Sequence, residues 1–505
     1  MINQLTPEII LGIVAAYFML LMLISYLTSR NTDNADFFIA GRQSPWYLVA
    51  FGMIGASLSG VTFISVPGLV ESKQFSYMQM VFGFLLGYFV IATVLMPMYY
   101  RLQLTSIYTY LEQRFGIASY KTGAAFFLLS RTIGASFRLY LVAIVLQEFV
   151  MKAYGIPFWG TVLITIFLIW IYTFRGGIKT IVWTDTLQTL CMLTAVIFTV
   201  GAIGQKLNLS FGEMVQTVRE SSYSETFFFE DGWKDPKNFF KQFLAGASTA
   251  IVMTGLDQDM MQKNLSCKNI GDAQKNMFWF SIVLVFANLL FLTLGSLLYI
   301  YANQVGLAIP ERSDLLYPTI ALNYLPPSIG ILFILGLIAA AYSSADSALT
   351  ALTTSFCIDF LNFDKNKEAG DTEEIEAANK KTRFIVHIGF SFLLFLVILI
   401  FWYINDTAVI NAIYTVAGYT YGPLLGLYAF GFFTKRGIND RLAPVVCIVA
   451  PILTFLIHTY SELLLFGYKF SFELLILNGL LTFLGLLFIS YPEMEIEEEL
   501  RMKNE

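Results

Sequence analysis

Residues 51–68 read FGMIGASLSGVTFISVPG, an apolar stretch in which glycine, serine and proline interrupt a sequence otherwise suited to a membrane-spanning helix. Each glycine weakens a helix by about 1 kcal/mol relative to alanine, and Pro67 lacks the amide that a helix needs. Irregular backbone at membrane depth survives only where it lines a cavity or is buried in protein. We predict an unwound stretch near residues 55–60 whose freed carbonyl groups bind a cation such as Na⁺. The alternative is an unbroken helix with small residues at a helix contact.

The rest of the chain is equally hydrophobic. Of its 505 residues, 57% are hydrophobic and 13% are charged, and the mean hydropathy is +0.66, whereas soluble domains carry about 25% charged residues. This composition argues against a soluble enzyme, and the net charge of −5 offers no basic surface for nucleic acid.

About 20 apolar residues cross a bilayer, and we identify thirteen such segments at 9–28, 46–70, 77–99, 120–150, 156–174, 181–204, 240–262, 277–302, 326–355, 384–404, 408–433, 442–461 and 471–490. They are too long for barrel strands, so we predict an all-α integral membrane protein.

The distribution of lysine and arginine predicts the orientation in the bilayer. With the N-terminus outside, the inner loops hold about twice as many basic residues as the outer loops, and Lys263 is counted with the inner group. We therefore expect a plasma (inner) membrane location, an external N-terminus and a cytoplasmic tail at 491–505. Residues 205–239 are expected to form a small outer cap, and residues 361–383 a solvated inner helix.

The ninth segment carries the clearest polar pattern, LIAAAYSSADSALTALTTSF at residues 337–356. Helical spacing places Ser343, Asp346, Ser347 and Thr350 on one face. An aspartate at the membrane centre costs about 2.5–3.5 kcal/mol on insertion scales, which indicates a function for it. A carboxylate beside hydroxyl groups provides the hard oxygen ligands that a small cation prefers. Hydroxyl groups bonding to their own helix explain some of the pattern but not the aspartate.

Asp185 begins the sixth segment, in IKTIVWTDTLQTL. One interpretation is an acid in the first turns of a helix, favoured by the helix dipole. The other makes Asp185 a second cation ligand that faces Asp346.

Arg138 lies deep in the fourth segment, and a guanidinium at that depth needs a partner or water. It could bind a substrate carboxylate through two parallel hydrogen bonds or pair with an internal acid. The seventh segment, GASTAIVMTGLDQDMMQK at 246–263, also contains residues that weaken a helix. It lies five segments after the second, as expected if two five-helix repeats each begin with a broken helix.

The sequence resembles the solute:sodium symporter family, which includes sodium–galactose, sodium–proline and sodium–sialic acid transporters. The resemblance extends over nearly the whole chain and includes GGIKTIVWTD, GLDQDMMQK, AAAYSSADSAL and YGPLLGLYAFGFFTKR. It implies a LeuT-type fold of two inverted five-helix repeats with broken helices. Residues 1–505 would then be one transporter domain, divided into an extra N-terminal helix and loop at 9–45, a first repeat at 46–204, a second repeat at 240–433, two extra helices at 442–490 and the tail at 491–505.

The resemblance also implies cation sites. The main sodium site would use the carbonyl groups of Gly55, Leu58 and Ala340 and the hydroxyl groups of Ser343 and Ser344.

A possible second cation site, present in some members of the family, would use Asp185, Ser343, Asp346 and Ser347. Asp346 stands where serine is common, and the two carboxylates could share a proton instead.

The implied solute cavity lies beside the broken helices. Its ligands by this resemblance are Ser57, Ser59, Thr62, Tyr77 or Gln79, and Arg138, which falls where sialic acid transporters place a carboxylate-binding arginine. Met253 and Ala250 stand where a tyrosine gate and a sugar-binding asparagine are expected. These two differences disfavour a galactose-like solute and favour an anionic one.

We therefore predict a sodium-coupled symporter that imports a small organic solute, such as a sialic acid or another organic anion, by alternating access. The alternatives are a proton-coupled carrier of the same fold and a symporter of a neutral sugar or amino acid. We expect no enzymatic activity, no cofactor besides Na⁺ as the coupling ion, no other metal, and a monomer in the lipid bilayer. Only two histidines and four dispersed cysteines are available for metal binding.

Overall fold

The computed structural model of the protein describes residues 6–28, 42–173, 177–230, 232–363, 373–404 and 408–492. Parts of the predicted N-terminal loop, of the charged segment at 361–383 and of the C-terminal tail lie outside the described residues. Nearly all of the described chain is helical.

The first half of the chain contains these helices: α1 Pro7–Thr28, α2 Trp46–Ser57, α3 Gly60–Gly68, α4 Val70–Lys73, α5 Tyr77–Val90, α6 Met96–Arg101, α7 Thr109–Arg114, α8 Ile117–Phe149, α9 Phe158–Thr173, α10 Gly177–Lys206 and α11 Phe211–Glu220. The second half contains α12 Phe239–Ala250, α13 Gln258–Leu265, α14 Ile270–Val305, α15 Leu316–Asn323, α16 Pro327–Ser355, α17 Glu373–Ile404, α18 Val409–Thr420, α19 Gly422–Phe433, α20 Ala443–Thr459, α21 Ser461–Leu464 and α22 Leu474–Phe488. Single π-helical turns at Ile91–Leu95, Ile251–Gly255 and Phe356–Phe360 continue α5, α12 and α16. The two-residue strands β1 Gly437–Ile438 and β2 Ser490–Tyr491 pair antiparallel.

The helices account for all thirteen predicted segments. Eight described helices are long and apolar enough to cross a membrane, and two bent helix pairs bring the number to ten. Shorter apolar helices at 158–171, 422–433 and 474–488 match the remaining segments. The prediction of an all-α, multi-pass membrane protein is confirmed.

The second predicted segment is broken, as its glycines indicate. Helices α2 and α3 meet at a bend of 48°, and Ser59 at the break has φ 1° and ψ 173°. Leu58 N still bonds to Ile54 O, and Phe63 N bonds to Ser59 O. Among the described residues, the amides of 59–62 donate no backbone bond to the carbonyls of 55–58. The break therefore leaves several carbonyl groups free for another partner.

Glycine allows α2 to lie close to α10. A Cβ atom at Gly52 would approach Asp185 Cβ to 3.0 Å, and one at Gly55 would overlap the hydroxyl of Thr189. That hydroxyl donates to Phe51 O at 2.9 Å. The close approach holds Asp185 beside the break.

The seventh predicted segment is broken as well, with a bend of 63° between α12 with its π turn and α13. Tyrosine hydroxyls satisfy the carbonyl groups freed by this second break, since Tyr99 donates to Gly255 O at 2.9 Å and Tyr108 to Leu256 O at 3.0 Å. Asp257 caps α13 by accepting from the amides of Asp259 and Met260. The second break is therefore closed by hydrogen bonds, whereas the first is open.

Helix α16 lies at the centre of the bundle. Every residue from Gly336 to Ser355 is buried, including the hydroxyl-bearing positions and Asp346. By contrast, α17 and α20 expose large apolar side chains such as Phe392 and Ile448, as expected for helices that face lipid. A fully buried helix with this many polar groups needs partners for them inside the protein.

The described part of the segment at 205–239 contains the α-helix α11 and a short 3-10 helix at Gly232–Lys234. Ser210 and Glu213 form a reciprocal capping box at the start of α11. Hydrogen bonds from the Ser210 side chain and backbone hold the pKa of Glu213 below its usual value.

Candidate functional site

A cavity of about 80 Å³ lies beside the two breaks, between α2, α3, α5, α8, α12, α14 and α18. This volume holds a few water molecules or a small group of solute atoms. Five of the residues predicted to bind the solute line the cavity, namely Ser57, Ser59, Thr62, Tyr77 and Arg138. The structure therefore brings together residues from three predicted segments.

Gln79 does not line this cavity. Its amide nitrogen donates to Lys237 O at 2.8 Å, and its amide oxygen accepts from Phe228 N at 3.2 Å. The side chain is fully buried and anchors the segment before α12 to α5. Its hydrogen-bonding capacity is thus used within the protein.

Two arginines on α8 have different environments. Arg131 forms an ion pair with Asp259 of α13, and both side chains are buried. Arg138, two turns further along, is half-buried and lines the cavity. Among the described residues it has no hydrogen-bond or ion-pair partner. Asp257 is also near the cavity, but its carboxylate accepts from Tyr421 at 2.6 Å.

A pair of tyrosines lines the cavity. The hydroxyls of Tyr77 on α5 and Tyr414 on α18 lie 3.0 Å apart. Phe472 packs against the Tyr414 ring with 4.5 Å between ring centroids. The contact between the two tyrosines links α5 to α18.

The candidate main sodium site lies where α16 contacts the first break. The hydroxyl of Ser344 points to the carbonyl of Ala56 at 3.4 Å. Gly55 directly precedes Ala56, Leu58 follows it by two residues, and Ala340 lies one turn before Ser344 and is buried. The carbonyl of Ala56 was absent from the predicted ligand set, because sequence spacing alone does not tell which carbonyl of a break faces a neighbouring helix.

The hydroxyl of Ser343 has a different partner from that of Ser344. It donates to Asp185 Oδ1 at 2.6 Å. When the side-chain amide of Gln188 is turned so that its nitrogen faces acceptors, that nitrogen donates to the same oxygen at 3.2 Å. The structure thus joins Asp185 and Ser343, two residues of the predicted second cation site.

Lys263 completes the surroundings of Asp185. Its ammonium group lies 2.7 Å from Asp185 Oδ2, with side-chain exposures of 1% for the lysine and 0% for the aspartate. The prediction that Lys263 lies in an inner loop is therefore wrong, because it is a buried residue of α13. Helix α13 extends to Leu265 inside the protein, and the buried ammonium is neutralised by Asp185. The sequence did not predict this contact, because a lysine near the end of an apolar segment looks like a loop residue.

The other two residues predicted for the second site, Asp346 and Ser347, are fully buried on α16. Asp346 Oδ1 accepts from the backbone amide of Ser347 at 2.6 Å. The Ser347 hydroxyl also lies near the Asp185 carboxylate, which contacts Ser343, Gln188 and Lys263.

A bundle of membrane-spanning helices, two of them broken beside a buried polar cavity, defines a secondary transporter with the LeuT-type fold. The fold agrees with two solved structures. One is the substrate-bound, outward-open state of a Na⁺-coupled sialic acid symporter, with a TM-score of 0.79 and 21% identity over 95% of this chain and 97% of that chain. The other is Mhp1, a nucleobase-cation-symport-1 family transporter, with a TM-score of 0.52 and 14% identity over 91% of this chain and 95% of that chain.

The chain belongs to the sodium:solute symporter family, whose model matches residues 37–443. Among its relatives, the sodium/sialic acid symporter of Aliivibrio fischeri is 25% identical over 449 residues, covering 85% of this chain and 83% of the relative. The sodium/sialic acid symporter of Proteus mirabilis is 26% identical over 465 residues, covering 88% of each chain. The protein is therefore a sodium-coupled solute symporter and not an enzyme, as the sequence predicts.

Proposed function

We propose that the protein imports a small organic anion bearing a carboxylate, such as a sialic acid, together with Na⁺. The observation that carries this proposal is Arg138, a half-buried guanidinium that lines the cavity without a described protein partner. A guanidinium binds a carboxylate through two parallel hydrogen bonds, and in a partly dehydrated cavity these bonds are strong. The two relatives named as sodium/sialic acid symporters support the same solute class.

The hydroxyl groups around the cavity suit the rest of such a solute. Ser57, Ser59 and Thr62 come from the broken helix, and Tyr77 comes from α5. Hydroxyl groups donate and accept hydrogen bonds, so they can bind the polar substituents of a sugar acid. We leave Gln79 out of this set because its amide is bonded within the protein.

Sodium binds, in this proposal, between the first break and α16. Its ligands are the carbonyl groups of Gly55, Ala56, Leu58 and Ala340 and the hydroxyl of Ser344. The contact between Ser344 and Ala56 supports this set. Ser343, which faces Asp185, would need another rotamer to join it.

Sodium entry provides the driving force. Each Na⁺ gains about 2.3 kcal/mol of electrical energy across 100 mV. Because Na⁺ would link α2 to α16, its binding holds the broken helix in the form that accepts the solute. Release of Na⁺ on the inside then lets the helices separate. Asp185 is bonded to Lys263, which disfavours a proton shared between Asp185 and Asp346.

The proposed arrangement in the membrane keeps the N-terminus outside and the C-terminus in the cytoplasm, from the distribution of basic residues. The first repeat would extend over 46–204 and the second over 240–433, each beginning with a broken helix. The Tyr77–Tyr414 contact then lies on the outer side of the cavity. We propose a monomer as the transporting unit.

A thermal-shift screen of the purified protein tests this proposal. Sialic acids, small monocarboxylates, neutral sugars and amino acids would each be added in Na⁺ and in K⁺. We expect a carboxylate to raise the melting temperature in Na⁺ but not in K⁺, because the ligand stabilises only the state that it binds. Stabilisation by neutral solutes alone, or to the same extent in K⁺, would contradict the proposal.

A further inference from the structure

The buried ion pair between Lys263 and Asp185 lies where a second sodium ion was expected. The ammonium belongs to α13, the second half of the second broken helix, and the carboxylate belongs to α10. Their contact of 2.7 Å is typical of a charge-assisted hydrogen bond. Both side chains are buried almost completely. The pair therefore places a fixed positive charge beside Asp185, one of the two acidic residues of the predicted second site.

The carboxylate of Asp185 is already well supplied with donors. One oxygen accepts from Ser343 at 2.6 Å and from Gln188 at 3.2 Å, and the other accepts from Lys263 at 2.7 Å. A carboxylate has about four acceptor positions. A Na⁺ ion bound here would lie beside the lysine ammonium, and two like charges repel strongly in a buried, low-dielectric site.

We propose that the ammonium of Lys263 takes the place of the second sodium ion, so that the protein binds and carries one Na⁺ per transport cycle. This inference rests on the proposed sodium-coupled function and specifies its stoichiometry. The ammonium holds α10, α13 and, through Ser343, α16 together, which is what a second cation would do. Because the lysine is attached to the chain, it does not cross the membrane and contributes nothing to the driving force.

A purely structural ion pair would also explain the contact, and the number of bound sodium ions distinguishes the two. If Lys263 only stabilises the fold, its removal lowers stability without creating a cation site. If Lys263 replaces a cation, its removal leaves the Asp185 carboxylate and the Ser343 hydroxyl open, and Na⁺ can bind there. If Asp185 is neutralised as well, its negative charge no longer attracts a second Na⁺ to this position.

The test is equilibrium binding of ²²Na⁺ alone to the full-length protein in nanodiscs. We expect one saturable site per wild-type chain, two sites in Lys263→Ala, and one site again in the double variant Lys263→Ala with Asp185→Asn. Lys263→Arg, which keeps the charge, is the matched control and should retain one site. Ser344→Ala should lose the main site in every background.

Two sites in the wild-type protein, or a single site in a folded Lys263→Ala protein, would overturn the inference while leaving sodium coupling intact. No saturable site in the wild-type protein would overturn the proposed function and this inference with it. Two sites in the wild-type protein would overturn the inference even if Lys263→Ala does not fold.

Discussion

The arginines of α8 show how the surroundings of a single residue decide its role. Arg131 and Arg138 lie two turns apart on the same helix, and among the described residues only Arg131 has an acidic ion-pair partner, Asp259. A buried charge without a partner is costly, so an arginine that remains unpaired beside a cavity is expected to bind a ligand. Asp257 forms no ion pair with Arg138 among the described contacts, and its carboxylate accepts from Tyr421 and from the amides at the start of α13.

Replacing Arg138 by alanine should weaken binding of the carboxylate solute by about 10- to 100-fold, because a hydrogen bond to a charged group contributes about 1.5–3 kcal/mol. Arg138→Lys should restore only part of the affinity, since an ammonium cannot bind both oxygens in the same plane. Isothermal titration in Na⁺ measures both variants. Arg219→Ala, at an exposed position on α11, is the control and should bind as the wild type does. Unchanged affinity in Arg138→Ala would rule out the carboxylate contact.

At the scale of elements, the two broken helices differ in how their free carbonyl groups are used. The break between α2 and α3 leaves its carbonyls open, and Ser344 approaches one of them. The break before α13 is closed by Tyr99 and Tyr108. This difference is the reason that we propose a cation site at the first break and not at the second.

The position of the first break could be predicted from sequence because its causes are local. Glycines and Pro67 predicted unwinding near residues 55–60, and the helices separate between Ser57 and Gly60. The closure of the second break could not be predicted in this way. Tyr99 and Tyr108 lie about 150 residues away in the chain, as the separations of 156 and 148 show. A contact between residues so far apart in the sequence depends on how the helices pack, which a local sequence pattern does not reveal.

Gly55→Ala should displace α2 from α10, because the new Cβ would overlap the hydroxyl of Thr189. We expect a lower melting temperature and a smaller increase in that temperature on adding Na⁺, since the break carries the proposed ligands. Gly201→Ala, on the same helix as Thr189 with open space around it, is the matched control. Equal sodium stabilisation in the Gly55→Ala variant and the wild type would contradict the proposed position of the site.

Tyr108→Phe should destabilise the second break by about 1–3 kcal/mol, because it leaves the buried carbonyl of Leu256 without its donor. The loss should appear as a lower melting temperature of the purified protein. Tyr403→Phe removes a hydroxyl from a side chain that is 79% exposed and should have little effect. If both variants melted at the same temperature, the tyrosine would not close the break.

For the whole molecule, composition and the length of the apolar segments were sufficient to predict a multi-pass helical membrane protein, because bilayer thickness fixes the length of each helix. The LeuT-type arrangement was predicted from the family resemblance. The site was only partly predictable. Ser343 and Asp185 were both identified, but their contact and the burial of Lys263 depend on helices that meet 78 to 158 residues apart. A lysine near the end of an apolar segment looks like a loop residue until the packing of α13 is known.

Sodium-driven uptake depends on every part of the molecule working together. In the proposed mechanism, the bundle holds Na⁺ between α2 and α16, binds the solute beside Arg138 and opens the cavity on alternate sides. A protein that binds Na⁺ and solute without coupling them would show ligand stabilisation but no accumulation. Uptake therefore tests the cooperation of the helices more directly than binding does.

The most direct measurement is uptake, into proteoliposomes, of the radiolabelled carboxylate that most stabilises the protein in Na⁺. With an inward Na⁺ gradient, the wild type should accumulate it above the external concentration, and an equal K⁺ gradient should give only equilibration. Ser344→Ala should reconstitute normally but fail to accumulate the solute, because the ion between α2 and α16 has lost a ligand. Accumulation in K⁺, or undiminished sodium dependence in Ser344→Ala, would contradict sodium coupling at the broken helix.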